Sequence, residues 1–318
     1  MPAHFLKGRF AARNLFCVPG CLALLAAGCG GHEPPTVVVY TSQDEVFAEP
    51  ILNRFQKQTG IRVRAVYDSE AVKTVGLVNR LLTERNNPRC DVFWNNEEMR
   101  TRELAARGVF RQTNDWRPLG YRTRRIVFNT HLLTAATAPR RFSEATNAEW
   151  RGKGALAYPL FGTTATHFQA LRQLWGEEGW QKWCRALAAN HPFLVDGNSV
   201  VVKLVARGEA SFGFSDWDDI AGAQREGLPV EAMPVTPETL FIANTVGVIR
   251  NCPHPEAAER LFEFICNPDV SQQLAGLRAL EGATPGPTQA GEGLRVDWDK
   301  LLRELETATQ ESRQIFLR

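Results

Sequence analysis

Three aspartates crowd one tryptophan in the stretch Ser215-Asp216-Trp217-Asp218-Asp219. Carboxylates are hard oxygen donors that suit a cation, and an indole face beside them attracts organic amines. Aspartate also caps helices, so Asp216 or Asp218 can serve the start of a helix over 219–225. Three acids exceed what one cap requires, so a ligand role and a capping role fit together. A second polar stretch, Gly162-Thr163-Thr164-Ala165-Thr166, precedes another helix. Its hydroxyls and free N–H groups suit an anion, because a helix N-terminus carries partial positive charge. A plain threonine cap explains the same residues. Asn198 opens a further helix, and Ser42-Gln43-Asp44 fills the first strand-to-helix loop. Both positions serve capping as readily as ligand contact.

Paired carboxylates such as Asp216 and Asp218 also match acid–base catalysis, which makes an exported carboxylate-dependent hydrolase the competing class. The chain contains no G-x-S-x-G turn, no H-E-x-x-H and no glycine-rich phosphate loop. A binding protein that is not an enzyme, with no required cofactor, is therefore expected. His167 and His191 have no second histidine at metal spacing and read as structural. Trp175, Trp180 and Trp183 recur at helical spacing and read as core. Arg122, Arg124 and Arg125 suit an anion at the hinge, and read more readily as solvated or as partners for acids across two lobes.

The elements that position these residues alternate in type. Thr36–Tyr40 is a β-branched strand, followed by a helix with Ile51, Leu52 and Phe55 on one side that ends before Gly60. Ile61–Tyr67 is a strand, 71–85 a helix, and Asp91-Val92-Phe93-Trp94 a third strand. A helix over 98–107 closes at Gly108. This β-α-β-α-β order predicts an α/β lobe with a parallel sheet. Arg122–Asn129 reads as an extended crossing into a second lobe. That lobe holds strands 155–158 and 211–214 and helices 165–174, 177–189 and 198–207. Glu231–Ile249 returns to the first lobe, helices near 255–266 and 296–310 follow, and 282–292 is a Gly/Pro-rich loop. The expected division is a first lobe of 36–125 with 240–280, a second of 126–239, and a C-terminal helical segment of 281–318. Ligand in such a fold sits in the cleft outside the carboxyl ends of the strands, and closure of the lobes about extended hinge segments is the expected motion.

The N-terminus reads as a leader. Lys7, Arg9 and Arg13 precede an apolar stretch from Leu15 to Ala27, too short for a spanning helix and interrupted by Pro19-Gly20. It ends in Leu25-Ala26-Ala27-Gly28-Cys29, which resembles a bacterial lipoprotein signal. Residues 1–28 are then the signal peptide, 29–35 the anchor and linker, and acyl chains on Cys29 tether the protein to a membrane. Removing three basic residues with the leader leaves 34 basic against 35 acidic side chains. A nucleic-acid binder would carry a basic excess, so that class is excluded. Cys90, Cys184, Cys252 and Cys266 remain, at spacings that match no zinc site. Export permits a Cys252–Cys266 disulfide as readily as separate thiols.

Val37-Val38-Val39-Tyr40-Thr41-Ser42-Gln43-Asp44, then Ile51–Gly60, then Asp91-Val92-Phe93-Trp94 resemble bacterial solute-binding proteins of the ferric-ion-binding group (extracellular solute-binding family 1). The similarity runs on through Gly162–Ala165, Asn198-Ser199-Val200 and Gly213–Gly227, covering most of 36–280 in order. The resemblance implies a two-lobed periplasmic-binding-protein fold of type II, delivering substrate to an ABC permease in the inner membrane. It further implies a metal held by a first-loop histidine, a glutamate after the third strand and two adjacent tyrosines, with an anion at the threonine loop. Here those metal positions carry Asp44, Asn96 with Glu97 beside it, and Trp217-Asp218, so none of the four ligands is retained. Hard carboxylates of Asp44, Glu97, Asp218 and Asp219 offer a substitute set. Ser42, Gln43, Trp94, Asn96, Thr163, Thr164, Asn198, Ser215 and Trp217 complete the expected ligand contacts.

The resulting expectation is a monomeric, periplasmic or cell-surface lipoprotein that captures ferric iron in an interlobe cleft, with a synergistic anion. The alternatives are a polyamine or thiamine-like cation boxed by Trp94 and Trp217, or a phosphonate at the threonine loop. Asp218→Ala is expected to weaken ligand binding while leaving the fold intact.

Overall fold

The computed structural model describes residues 34–68, 75–112, 115–283 and 293–317. The leader, Cys29, the helix positions 71–74 and most of the Gly/Pro-rich loop lie outside these residues. In chain order the elements are β1 (Thr36–Thr41), α1 (Glu45–Thr59), β2 (Arg62–Tyr67), α2 (Val75–Glu84), β3 (Val92–Asn95), α3 (Glu98–Ala106) and β4 (Trp116–Asn129). They continue with β5 (Gly154–Ala157), α4 (Gly162–Ala189), β6 (Phe193–Val195), α5 (Asn198–Ala206), β7 (Phe212–Asp216), α6 (Trp217–Arg225) and β8 (Val230–Ala232). The chain finishes with β9 (Phe241–Val248), α7 (Pro255–Ile265), α8 (Pro268–Gly276), β10 (Gly282–Ala283) and α9 (Trp298–Phe316).

The β-branched run makes β1 a fit for a sheet covered on both sides, and it lies parallel between β2 and β3. Helix α1 buries Phe47, Ala48, Ile51, Leu52 and Phe55, a stripe at helical spacing. Each large side chain in it contributes about 1.5–3 kcal/mol of burial. Gly60 stops the helix at φ 71°, a left-handed conformation that side-chain-bearing residues adopt only with strain.

Strand β4 belongs to both halves of the sheet. Its first part pairs antiparallel with β9, from Trp116 opposite Gly247 to Thr123 opposite Phe241, and β9 pairs antiparallel with β3. From Arg124 to Phe128 it pairs antiparallel with β7, and from Val127 to Asn129 with β8. Beyond β7 come β5 and β6, parallel to their neighbours, giving the order β2-β1-β3-β9-β4-β7-β5-β6. The extended crossing read from Arg122 therefore starts at Trp116, and the return segment divides into β8 and β9 around Pro234 and Pro237. Separate apolar cores flank the two halves, one built on Val37, Phe55 and Phe262, another on Phe168, Trp180 and Phe214.

Helix α4 holds the two helical stretches separated at Gly176, whose φ of 70° and ψ of 165° break the helix. Trp180 and Trp183 are buried as their spacing predicts. Helix α9 turns Leu301, Leu305, Ala308 and Phe316 inward against the second core, and Arg172 of α4 reaches Glu304 at 3.0 Å and Glu311 at 3.6 Å. Cys90, Cys184, Cys252 and Cys266 are all free thiols. Among the described residues no helix is long and apolar enough to cross a membrane.

Candidate ligand-binding cleft

Three strand-to-helix junctions of the second half deliver polar loops to one place. The junction after β5 supplies Tyr158 and Phe161–Thr164, that after β6 supplies Asp196–Asn198, and that after β7 supplies Asp216, Asp218 and Asp219. The other side of the cleft is Asp44 after β1, Asn96 after β3 and Arg122 from β4. Parallel strands feeding helices put loop ends and helix N-termini on the same edge, which is why a cleft forms there.

Asp216 lines the cleft and organises this cluster. Its Oδ1 accepts from Arg124 Nη1 at 2.8 Å, and its Oδ2 accepts from Thr163 Oγ1 at 2.8 Å and Asn198 Nδ2 at 3.1 Å. Arg122 Nη2 lies 3.2 Å from the same Oδ2. Burial alone would raise the carboxyl pKa, but the guanidiniums of Arg122 and Arg124 and the Thr163 hydroxyl hold it below the usual carboxylate range. Thr164 Oγ1 donates to Asn198 Oδ1 at 3.1 Å, so both threonine hydroxyl protons are engaged within the protein. The Arg122–Arg125 run is thus neither solvated nor disordered in purpose: Arg122 and Arg124 are buried against aspartates, and Arg125 pairs with Glu281.

Asp218, buried, accepts from Arg122 Nη1, while half-buried Asp219 sits beside it in the first turn of α6. Ligand oxygens from Asp216, Asp218 and Asp219 lie within 4.8 Å of one another. Asp44 takes the N-cap position of α1 but makes no side-chain capping bond. Opposite, Asn96 N–H donates to Ser42 Oγ at 3.0 Å, and Ser42 Oγ donates to Asn95 Oδ1 at 2.6 Å. Asn244 Nδ2 donates to Gln43 Oε1 at 2.5 Å. The buried Nδ2 of Asn96 and Nε2 of Gln43 have no hydrogen-bond partner among the described residues, and Asn96 lines the cleft. An unpaired buried donor costs about 1–3 kcal/mol, which a ligand oxygen would recover.

Several expected contacts lie elsewhere. Glu97 is not positioned as a metal ligand: it is fully buried and caps α3, its oxygens accepting from Met99 N–H and Arg100 N–H at 2.9 Å each. Thr166 Oγ1 donates to Glu97 Oε1 at 2.9 Å, which occupies that oxygen further. Burial raises its pKa, against the lowering effect of Arg100 and the capping amides. Trp94 is a core residue whose indole N–H donates to Asn244 Oδ1 at 2.8 Å, so it does not wall a box. Trp217 is half-buried at the start of α6 and does not line the cleft. Ser215 is fully buried and donates to the Asn198 carbonyl at 3.1 Å, supporting the start of α5 from behind. Ser42 and Gln43 likewise stand one layer behind Asn96. Cys29 lies outside the described residues.

The expectation that Asp218→Ala leaves the fold intact meets a cost the sequence did not show. Asp218 is half of a buried ion pair, and removing one partner of such a pair costs about 3–5 kcal/mol. Sequence reasoning passed over Tyr158 and Asp196. The position of Tyr158 directly after a strand was the available signal, by the rule that ligands meet strand carboxyl ends.

Comparison with known proteins agrees with this layout. The major ferric iron-binding protein of Neisseria meningitidis is 21% identical over 285 residues, 81% of this chain and 84% of that protein. Iron-bound HitA from Pseudomonas aeruginosa has a TM-score of 0.76 at 19% identity, covering 89% of this chain and 99% of that one. AfuA from Actinobacillus pleuropneumoniae, with fructose-6-phosphate bound, has a TM-score of 0.72 at 18% identity, covering 90% and 97%. The fold is therefore the two-lobed type II periplasmic-binding-protein fold. Because the model of the bacterial extracellular solute-binding proteins matches it continuously over residues 35–275, the chain belongs to that family.

Proposed function

We propose that this chain is the ligand-capturing subunit of an ABC-type importer, and that its cargo is ferric iron taken with a small anion. The observation that carries the reading is the gathering of carboxylates at the strand ends, with ligand oxygens of Asp216, Asp218 and Asp219 within 4.8 Å and Asp44 across the cleft. Asp44, Asp218 and Asp219 are the ligand set, because the oxygens of Asp216 already serve Arg124, Thr163 and Asn198. Hard anionic oxygens suit a small, highly charged ion. The cleft leaves about 50 Å³ of space, and the N-termini of α4 and α5 line it, which suits a small anion beside the metal. The likeness to ferric iron-binding proteins in sequence supports the same cargo. Delivery to an inner-membrane permease, action as a monomer, and tethering at Cys29 in the periplasm or at the cell surface complete the proposal.

A second reading, a phosphorylated or phosphonate ligand, is favoured by one observation. Arg122 and the N-termini of α4 and α5 line the same cleft. The amine reading loses its support, since Trp94 lies in the core and Trp217 off the cleft.

Thermal unfolding of the metal-free mature chain separates these. A ligand at a hundred times its Kd stabilises the folded state by about 2.7 kcal/mol and raises the melting temperature. Fe(III) with citrate or phosphate is expected to raise it, and citrate or phosphate alone is not. A rise with a phosphonate alone would replace iron by the oxyanion.

A further inference from the structure

Arg122 occupies an unusual place for a cation. It lines the cleft at 6% exposure, on the strand common to both halves of the sheet. Its Nη1 donates to Asp218 Oδ2 and its Nη2 lies 3.2 Å from Asp216 Oδ2. Its Nε has no hydrogen-bond partner among the described residues. The guanidinium is therefore held chiefly by the two aspartates, on a carboxylate that an incoming cation would have to share. Arg124 differs, since it is wholly buried and fixed by Asp216, Thr163 and Asn198.

We propose that Arg122 is the resident counter-cation of the cleft, a specificity-determining residue that a transported cation must displace from Asp218. The proposal rests on the reading of Asp218 as a cation ligand. Breaking a buried, charge-assisted pair sets a cost that is the same for every entering cation. The return, attraction to the carboxylates, rises with the charge of the entering ion. A fixed cost against a charge-dependent return sets a threshold. Trivalent iron passes it, and divalent ions and single ammonium groups do not. Without Arg122, the carboxylates of Asp44, Asp216, Asp218 and Asp219 would lose a guanidinium from their midst and would take divalent cations more readily. The arginine thus converts an acidic cleft into one selective for high charge.

The test is calorimetric titration of the mature wild-type chain and of Arg122→Gln with Mn(II), and with Fe(III) supplied from nitrilotriacetate. Arg122→Gln is expected to bind Mn(II) about tenfold more tightly than wild type or better, and to narrow the preference for Fe(III). Unchanged or weaker Mn(II) binding would overturn the proposal and make Arg122 an anchor for the ligand's anion. In an Asp218→Asn background the gain is expected to vanish; its persistence would show that Asp218 is not the contested partner. Should Arg122→Gln fail to fold, Arg122→Lys serves. Its shorter ammonium reaches one aspartate instead of two, and Mn(II) affinity is expected to rise about threefold, with no rise overturning the proposal. If wild type takes no Fe(III), the cargo assignment fails, while the Mn(II) comparison still reads Arg122 independently.

Discussion

At the scale of the residue, the cleft is a balance of charge. Asp216 and Asp218 face Arg122 and Arg124 directly, and Asp44 and Asp219 add their charge to the field at Arg122. This predicts two effects of Asp218→Asn. Fe(III) affinity falls at least about tenfold, because an anionic ligand becomes neutral. The metal-free protein also melts several degrees lower, because a buried guanidinium loses a charged partner. Titration and melting of the same variant check both. A loss of affinity with no change in melting would mean that Asp218 does not hold Arg122 in solution. The sequence offered the arginines as partners for acids, but not which acids they meet. Arg124 and Asp216 stand 92 residues apart and meet only through the pairing of β4 with β7. A charged run on a strand reads as solvated or as paired, and nothing local decides between the two.

At the scale of the element, capping decides which carboxylates are available. Glu97 spends both oxygens on the first turn of α3 and accepts from Thr166 as well. Glu97→Ala is therefore expected to destabilise the fold by about 1–2 kcal/mol while Fe(III) affinity stays within about threefold of wild type. Urea denaturation and the same titration measure this; a large loss of affinity with unchanged stability would return Glu97 to the ligand set. Most elements were legible beforehand. The β-branched run of β1, the helical stripe of α1 and the glycines after α1, α3 and α5 are local signals. Strand β10 fell in the stretch read as a loop, and two further elements were not legible either. Helix α8 begins with Asn267-Pro268-Asp269, residues that equally spell a turn, although Asn267 caps and proline sits in the first turn. Strand β6 has three residues beside Pro192, and only its pairing with β5 distinguishes it from loop.

At the scale of the whole molecule, burial of titratable groups couples stability to pH. His167 is fully buried, its Nε2 bonded to the Glu238 carbonyl at 2.8 Å. Desolvation first, and the nearby Arg124 guanidinium second, push its pKa down to about 3. The unfolded chain binds a proton near pH 6.5 that the folded chain refuses, so stability falls as pH drops from 6.5 towards 3. The loss at pH 5 is about 2 kcal/mol from this group. Asp216 acts in the same direction at lower pH: its depressed pKa contributes stability that disappears as pH falls through its folded value. His167→Gln is expected to flatten the decline between pH 7 and 5, measured by urea denaturation at each pH. An unchanged slope would place the titrating group elsewhere. The two-lobed layout was legible from the alternation of elements, and its likeness to known structures follows from the same order. The composition of the cleft was not, because it is assembled from five junctions and one strand, spread from Asp44 to Asp219.

The most direct measurement is the amount of iron retained by the purified mature chain after loading with Fe(III) and desalting, beside Asp218→Asn and Asp219→Asn treated identically. One iron per wild-type chain, and sharply less in both variants, is the expected result. Retention of no iron by wild type, or equal retention by all three chains, would overturn the assignment of a carboxylate-held ferric cargo.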